Sequence, residues 1–247
     1  MPYYDLLSGE EQSELRKLIQ VFLAEKRFEG CGGLEITDEI RVTIAAQACM
    51  LLLNRAHDHY AGLDSILVYP SSYLAPSQFM DDAGVVHEGD EGRLGEAWLR
   101  GAVILAWDEV RRDSRDFQDG RNVTFHEFAH QLDQQDGSFD GAPILEKASH
   151  YRSWARVLMK EYQALGRAAD RGQETLIDQY GATEPAEFFA VVTEAFFEMP
   201  AALNAKHPEL YEELKKFYRQ DTLGRLKNAA RPVKTEPDAA AHSSGRT

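Results

Sequence analysis

Apolar residues open the chain at helical spacing: Leu15, Leu18, Ile19, Phe22 and Leu23 follow a Ser8 and Glu11 pair that has the form of a capping box. An amphipathic first helix is predicted. The Gly-rich stretch EGCGG at 29–33 interrupts it, and a second helical run from about Asp38 to Asn54 is apolar on more than one face, which predicts a buried helix.

Two short, strongly apolar runs bounded by turn residues, SILVYP at 65–70 and AVILAW at 102–107, suit buried strands better than helices. Between them VVHEGDEGRLGEAW at 85–98 is acidic and punctuated by glycine, the pattern of a hairpin or a loop. From Asn122 onward the pattern is helical, with breaks at Asp136 to Gly141, at Tyr180 to Pro185 and at Met199 to Pro200. Strands early and helices late predict an α+β fold, mostly helical, with a small sheet.

Composition narrows the class. At 247 residues, 43% of them hydrophobic, the chain can fill one sizeable core, so one domain over 1–230 is expected. Residues 231–247 carry almost no large apolar side chains and cannot offset their ordering entropy, so a disordered polar tail is expected there. A formal charge of −14 opposes direct nucleic-acid binding. The start has neither the basic nor the apolar region of a secretory signal, and no apolar run approaches membrane-spanning length, which predicts a cytoplasmic protein without membrane contact. Cys31 and Cys49 are too few for a disulfide framework and read as packing thiols.

The segment HEFAH at 126–130 carries the chemistry. His126 and His130 stand four apart, on one face of a helix, where two imidazoles can bind one zinc ion. Glu127 sits beside them, where it can take a proton from zinc-bound water. Catalytic zinc usually has three protein ligands, so a third is needed. Spacing offers two. Asp136 lies ten residues after His126, where one class of these enzymes places a ligand, although Asp133 stands where that turn needs glycine. The other is Glu187 in EPAEFFAVVTEAFFEMP at 184–200, a segment so apolar that Glu187 and Glu194, seven apart on one stripe, need a partner or a metal. The other histidines offer less: His57 and His59 are two apart and would point to different faces of a helix, and His87 falls in the acidic stretch.

GEAWLRGAVILAWDEV at 95–110, GRNVTFHEFAHQLD at 120–133, TEPAEFFAVVTEAFF at 183–197 and HPELYEELKKFYRQD at 207–221 together resemble the Mlc titration factor A family of zinc peptidases. The resemblance runs from about Phe22 to Arg225. The catalytic part of that family is similar to the peptidase domain of anthrax lethal factor, in which a tyrosine precedes the zinc-binding glutamate by seven residues, as Tyr180 precedes Glu187 here. Thr222 departs from the pattern, where proline is expected after Gln220 and Asp221.

The resemblance implies one zinc ion held by His126, His130 and Glu187, with Glu127 as general base and Tyr180 assisting at the substrate carbonyl. It also implies a zincin-like fold with the sheet beside the zinc helix, peptide hydrolysis of the aminopeptidase type, and binding of a Mlc-like glucose repressor. Glu194 or Asp133 would orient a zinc-bound imidazole. The strand at 102–107 could pair with an extended substrate. A different reading is a non-catalytic regulator that sequesters a transcription repressor, with structural zinc; the acidic surface suits a basic partner.

Overall fold

The computed structural model describes residues 2–72 and 101–229. The stretch at 85–98 with His87, and the tail at 231–247, therefore lie outside the described residues.

A short helix, α1 (Pro2–Asp5), leads into α2 (Gly9–Glu25). The capping box forms as expected: the Glu11 amide donates to Ser8 Oγ at 3.2 Å, and the Ser8 amide donates to the Glu11 carboxylate at 2.9 Å. Leu15, Leu18 and Phe22 form the buried stripe of α2. The chain then runs through β1 (Arg27–Gly30), α3 (Asp38–Met50), β2 (Ser65–Tyr69) and β3 (Ala102–Ala106). β1 escaped the sequence reading because four residues are too few to display a period. Helix α3 stops at Met50, four residues short of the predicted end, and the chain turns through 51–54 to Asn54 at φ 63°.

The three strands form a wholly parallel sheet in the order β1-β2-β3, with Arg27 opposite Ser65 and Ser65 opposite Ala102. Ile66, Val68, Val103 and Leu105 are buried from one face of it. Parallel sheets need covered faces, which explains why these strands are apolar runs. β3 ends one residue before the predicted boundary, since Trp107 opens a short helix, α4 (Trp107–Asp113).

The second half is helical: α5 (Val123–Asp133), α6 (His150–Ala169), α7 (Pro185–Glu198), α8 (Pro200–Lys206), α9 (Pro208–Tyr218) and α10 (Thr222–Ala229). The predicted break at Asp136 continues to Ser149. Pro143 and the carboxylate of Asp133, which accepts the Gly141 amide at 2.9 Å, hold that segment out of helical geometry. The break before α7 begins earlier than Tyr180, because α6 ends at Ala169. α7 is buried from Ala186 to Glu198 without interruption. α5 packs against α7, α3 and β3, so the segment with the two histidines lies between the sheet and the most buried helix. Buried side chains from Tyr3 to Tyr218 join one core. The fold is α+β and mostly helical, as expected.

Candidate metal centre

α5 starts sharply because Asn122 stands before it in extended conformation, and its Oδ1 accepts the Phe125 amide at 2.9 Å. Val123, Phe125, Phe128, Ala129 and Leu132 turn one side of the helix into the core, and Phe125 and Phe128 are fully buried. The opposite side carries His126 and His130, whose rings lie 4.8 Å apart edge to face.

Glu187 reaches them from the first turn of α7, where Pro185 occupies the opening turn without losing a needed N–H. Its Oε2 lies 2.9 Å from His126 Nε2, and its Oε1 lies 3.5 Å from His130 Nε2. One donor atom from each of the three residues falls within 4.8 Å of the others. A tetrahedral ion with bonds of about 2.1 Å sets its ligands about 3.4 Å apart, so the spacing and the two-imidazole, one-carboxylate donor set both fit zinc. Asp136, the other candidate from spacing, is exposed beyond the end of α5 and accepts the Ser138 amide at 2.9 Å; it is not part of this group.

Charge binds tightly here. Burial opposes ionisation of His126, yet hydrogen bonds to Glu187 and Glu194 outweigh it and raise the imidazole to about 10. Burial likewise opposes the Glu187 carboxylate, and the two histidines bring it down to about 2. Such a cluster attracts positive charge, whether protons or a divalent ion. Burial raises Glu127, aided by the charges of Glu187 and Glu194 and countered by both histidines, which is the direction a general base at neutral pH requires.

Tyr180 belongs to a 3-10 turn, Gln179–Ala182, capped by the Asp178 carboxylate, which accepts the Tyr180 amide at 3.0 Å. Its ring centroid lies 6.1 Å from that of His126, and burial, the charges of Glu187 and Glu127 and a hydrogen bond with Glu187 all raise its hydroxyl pKa. The turn can lie this close to α7 because residue 181 is glycine: a Cβ there would stand 2.4 Å from Val191 Cγ2.

Glu194 binds the second nitrogen of His126. The Nδ1–H donates to Glu194 Oε1 at 2.8 Å, and the Asn122 amide donates to Glu194 Oε2 at 2.6 Å. Asp133, the other residue weighed for an orienting role, is fully buried and spends Oδ2 on Gly141; neither its Oδ1 nor His130 Nδ1 has a hydrogen-bond partner among the described residues.

Two more carboxylates reach the start of α5, and sequence reasoning missed both. Glu198 Oε2 accepts the Gly120 and Arg121 amides at 3.1 and 3.2 Å, while Asp113 Oδ2 accepts the Val123 amide at 2.9 Å. With Glu194, three side-chain carboxyl groups take four successive amides at the start of the helix. A signal for Glu198 existed: it continues the stripe of Glu187 and Glu194 along a helix whose other residues, Thr193 apart, are apolar. His57 and His59 meet edge to face at 4.3 Å in a loop rather than on a helix, and take no part in the metal group.

The group borders a cavity of about 430 Å³, lined by Glu127, His130 and Glu187 together with Tyr60, Ile104 and Phe139. Among the described residues, no helix is long and apolar enough to cross a membrane.

Known proteins resemble this chain over most of its length. The model of a family described as glucose-regulated metallo-peptidase M90 matches residues 1–219. An uncharacterised protein of Synechocystis is 46% identical over 219 residues, covering 88% of this chain and 80% of that protein. Mlc titration factor A of Pectobacterium atrosepticum is 34% identical over 92% of this chain and 86% of its own length, and that of Serratia proteamaculans is 34% identical over 90% and 86%. With the family model spanning most of its length, the chain belongs to the M90 family of metallopeptidases.

Proposed function

We propose that this protein is a zinc-dependent aminopeptidase, with one zinc ion on His126, His130 and Glu187, Glu127 as general base and Tyr180 as a hydrogen-bond donor to the substrate carbonyl. The observation that carries the reading is the convergence of the three ligands beside Glu127, on the wall of a cavity large enough for a peptide segment. Zinc bound there supplies a Lewis acid and makes water acidic enough to deprotonate near neutral pH.

The rest falls to the chain's own groups. Glu127, raised by burial, accepts a proton from the attacking water and passes it to the departing amine. The Tyr180 hydroxyl, kept protonated by burial and the surrounding carboxylates, donates to the developing oxyanion. Glu194, bonded to His126 Nδ1, orients the ring so that Nε2 is left for the metal.

Relatives named Mlc titration factor A support a second role, binding of a Mlc-like repressor. Both roles are tested together. Purified protein is analysed for metal, assayed on N-terminally free and blocked peptides with and without chelator, and used to capture a Mlc-like repressor. Chelator-sensitive trimming of free peptides only is the expected result. Capture of the repressor without any cleavage, by wild type and Glu127→Gln alike, would leave the regulatory reading alone standing.

A further inference from the structure

Helix α1 has four residues, too few to be stable by itself, yet its Tyr3 side chain is 5% exposed. Two contacts hold it there, and both lead to the metal helix. The ring packs edge to face on Phe125, at 5.5 Å between centroids, and on Phe117 at 5.3 Å. Phe125 directly precedes His126 and is fully buried against Phe197 of α7. The hydroxyl donates to Glu198 Oε1 at 3.0 Å, the same oxygen that accepts Asn122 Nδ2 at 3.1 Å.

Glu198 thus sits between the start of the chain and the start of α5. Its other oxygen takes the Gly120 and Arg121 amides, and the neighbouring Asn122 amide goes to Glu194, the residue bonded to His126 Nδ1. Each link is a direct hydrogen bond at a buried or half-buried position, and Asn122 uses its amide, its Oδ1 and its Nδ2 at once.

We infer that Tyr3 is a positioning residue of the metal centre: through Glu198 and Phe125 it holds the 120–122 backbone and the first turn of α5 in the geometry that aims His126. The inference rests on the zinc reading and adds the N-terminal helix to the apparatus that supports the site. Energy shared between two elements acts in both directions, so what docks α1 also orders the 120–122 segment.

The test reads zinc affinity of the full-length, chelator-stripped protein by competition with a chromophoric chelator. Tyr3→Phe keeps the ring and removes the hydroxyl; Asn122→Ser keeps a helix-capping oxygen and removes the amide donor to Glu198. Each is expected to weaken zinc binding, by about threefold to tenfold for Tyr3→Phe, at or below the low end for groups that orient ligands. The double variant should depart from the product of the single effects, since both donors meet at one oxygen.

Tyr211→Phe is the control: it removes a buried tyrosine hydroxyl, bonded to Asp221 and the Leu223 amide, outside this network, and should leave zinc affinity unchanged. Wild-type affinity in Tyr3→Phe, or an equal loss in Tyr211→Phe, overturns the inference. Wild-type protein that takes up no zinc overturns the proposed function and this inference with it.

Discussion

Glu194 joins the side chain of His126 to the backbone that starts its helix: one carboxylate oxygen accepts the imidazole Nδ1–H at 2.8 Å and the other accepts the Asn122 amide at 2.6 Å. A single residue on α7 thereby sets both where α5 begins and how its first histidine is turned. The site is a property of two helices in contact.

Replacing Glu194 should therefore loosen the metal without touching a ligand. Glu194→Ala is expected to weaken zinc binding by about 10- to 100-fold, the usual range for a group that orients a ligating histidine. Glu194→Gln should fall between, because one amide oxygen can serve only one of the two donors. Unchanged affinity in both variants, measured by chelator competition, would remove the residue from this role.

The two groups assigned to bond cleavage should separate chemistry from metal binding. Glu127→Gln is expected to keep zinc and lose about 10²- to 10⁴-fold in kcat. Tyr180→Phe should keep zinc and lose about 10²-fold, as when one oxyanion donor is removed. Metal content and steady-state kinetics on a free peptide decide the matter, and undiminished kcat in either variant rules out that residue's part.

Glu187 and Asp136 make opposite predictions as third ligand. Glu187→Ala should lower zinc occupancy of the dialysed protein, whereas Asp136→Ala, at an exposed turn away from the triad, should not. Full occupancy in Glu187→Ala would move the third ligand elsewhere.

Gly181 gives the tyrosine its place. A methyl group there would meet Val191 Cγ2 at 2.4 Å and Phe188 Cα at 3.3 Å, so Gly181→Ala must push the Tyr180 turn off α7. The expected cost is about 1–3 kcal/mol in stability, together with a fall in kcat and little change in zinc affinity. A variant with wild-type kcat and unfolding midpoint would show that the turn can yield at no cost.

Acid stability should depend on Glu11. Burial works against its charge, but Arg225, the Ser8 amide and Asn54 outweigh this and hold the carboxyl at about 2, below the ordinary 4.5. A depressed pKa stabilises the fold above the unfolded value, and that contribution is lost as pH falls from about 4.5 towards 2. Glu11→Gln should lower Tm at pH 7 and narrow the gap to wild type near pH 3. An equal gap at both pH values, by thermal unfolding, counts against the ionised pair.

Much of the site was legible along the chain because its parts are local or periodic. His126, Glu127 and His130 occupy one turn of one helix, and an i to i+4 pair of imidazoles needs only helical geometry to share a face. Glu187 was conspicuous for a thermodynamic reason: a carboxylate in a run that buries every residue from Ala186 to Glu198 must have a partner. The Tyr180 role came from family resemblance, and no periodicity would have produced it. The long helices and both apolar strands were visible as patterns, whereas β1 and α4 were too short to show one.

The sequence by itself determined which residues are able to ligate and which segments must be buried, since side-chain chemistry and hydrophobic period are properties of neighbours in the chain. Only the tertiary structure decided that Glu187 and not Asp136 meets the histidines, that Glu198 and Asp113 close off the start of α5, and that Tyr3 touches the same network. Those contacts span ten to nearly two hundred residues; those of Glu187 and Glu198 exist because α7 is packed against α5, and that of Asp113 because α4 meets the start of α5, juxtapositions no local pattern encodes.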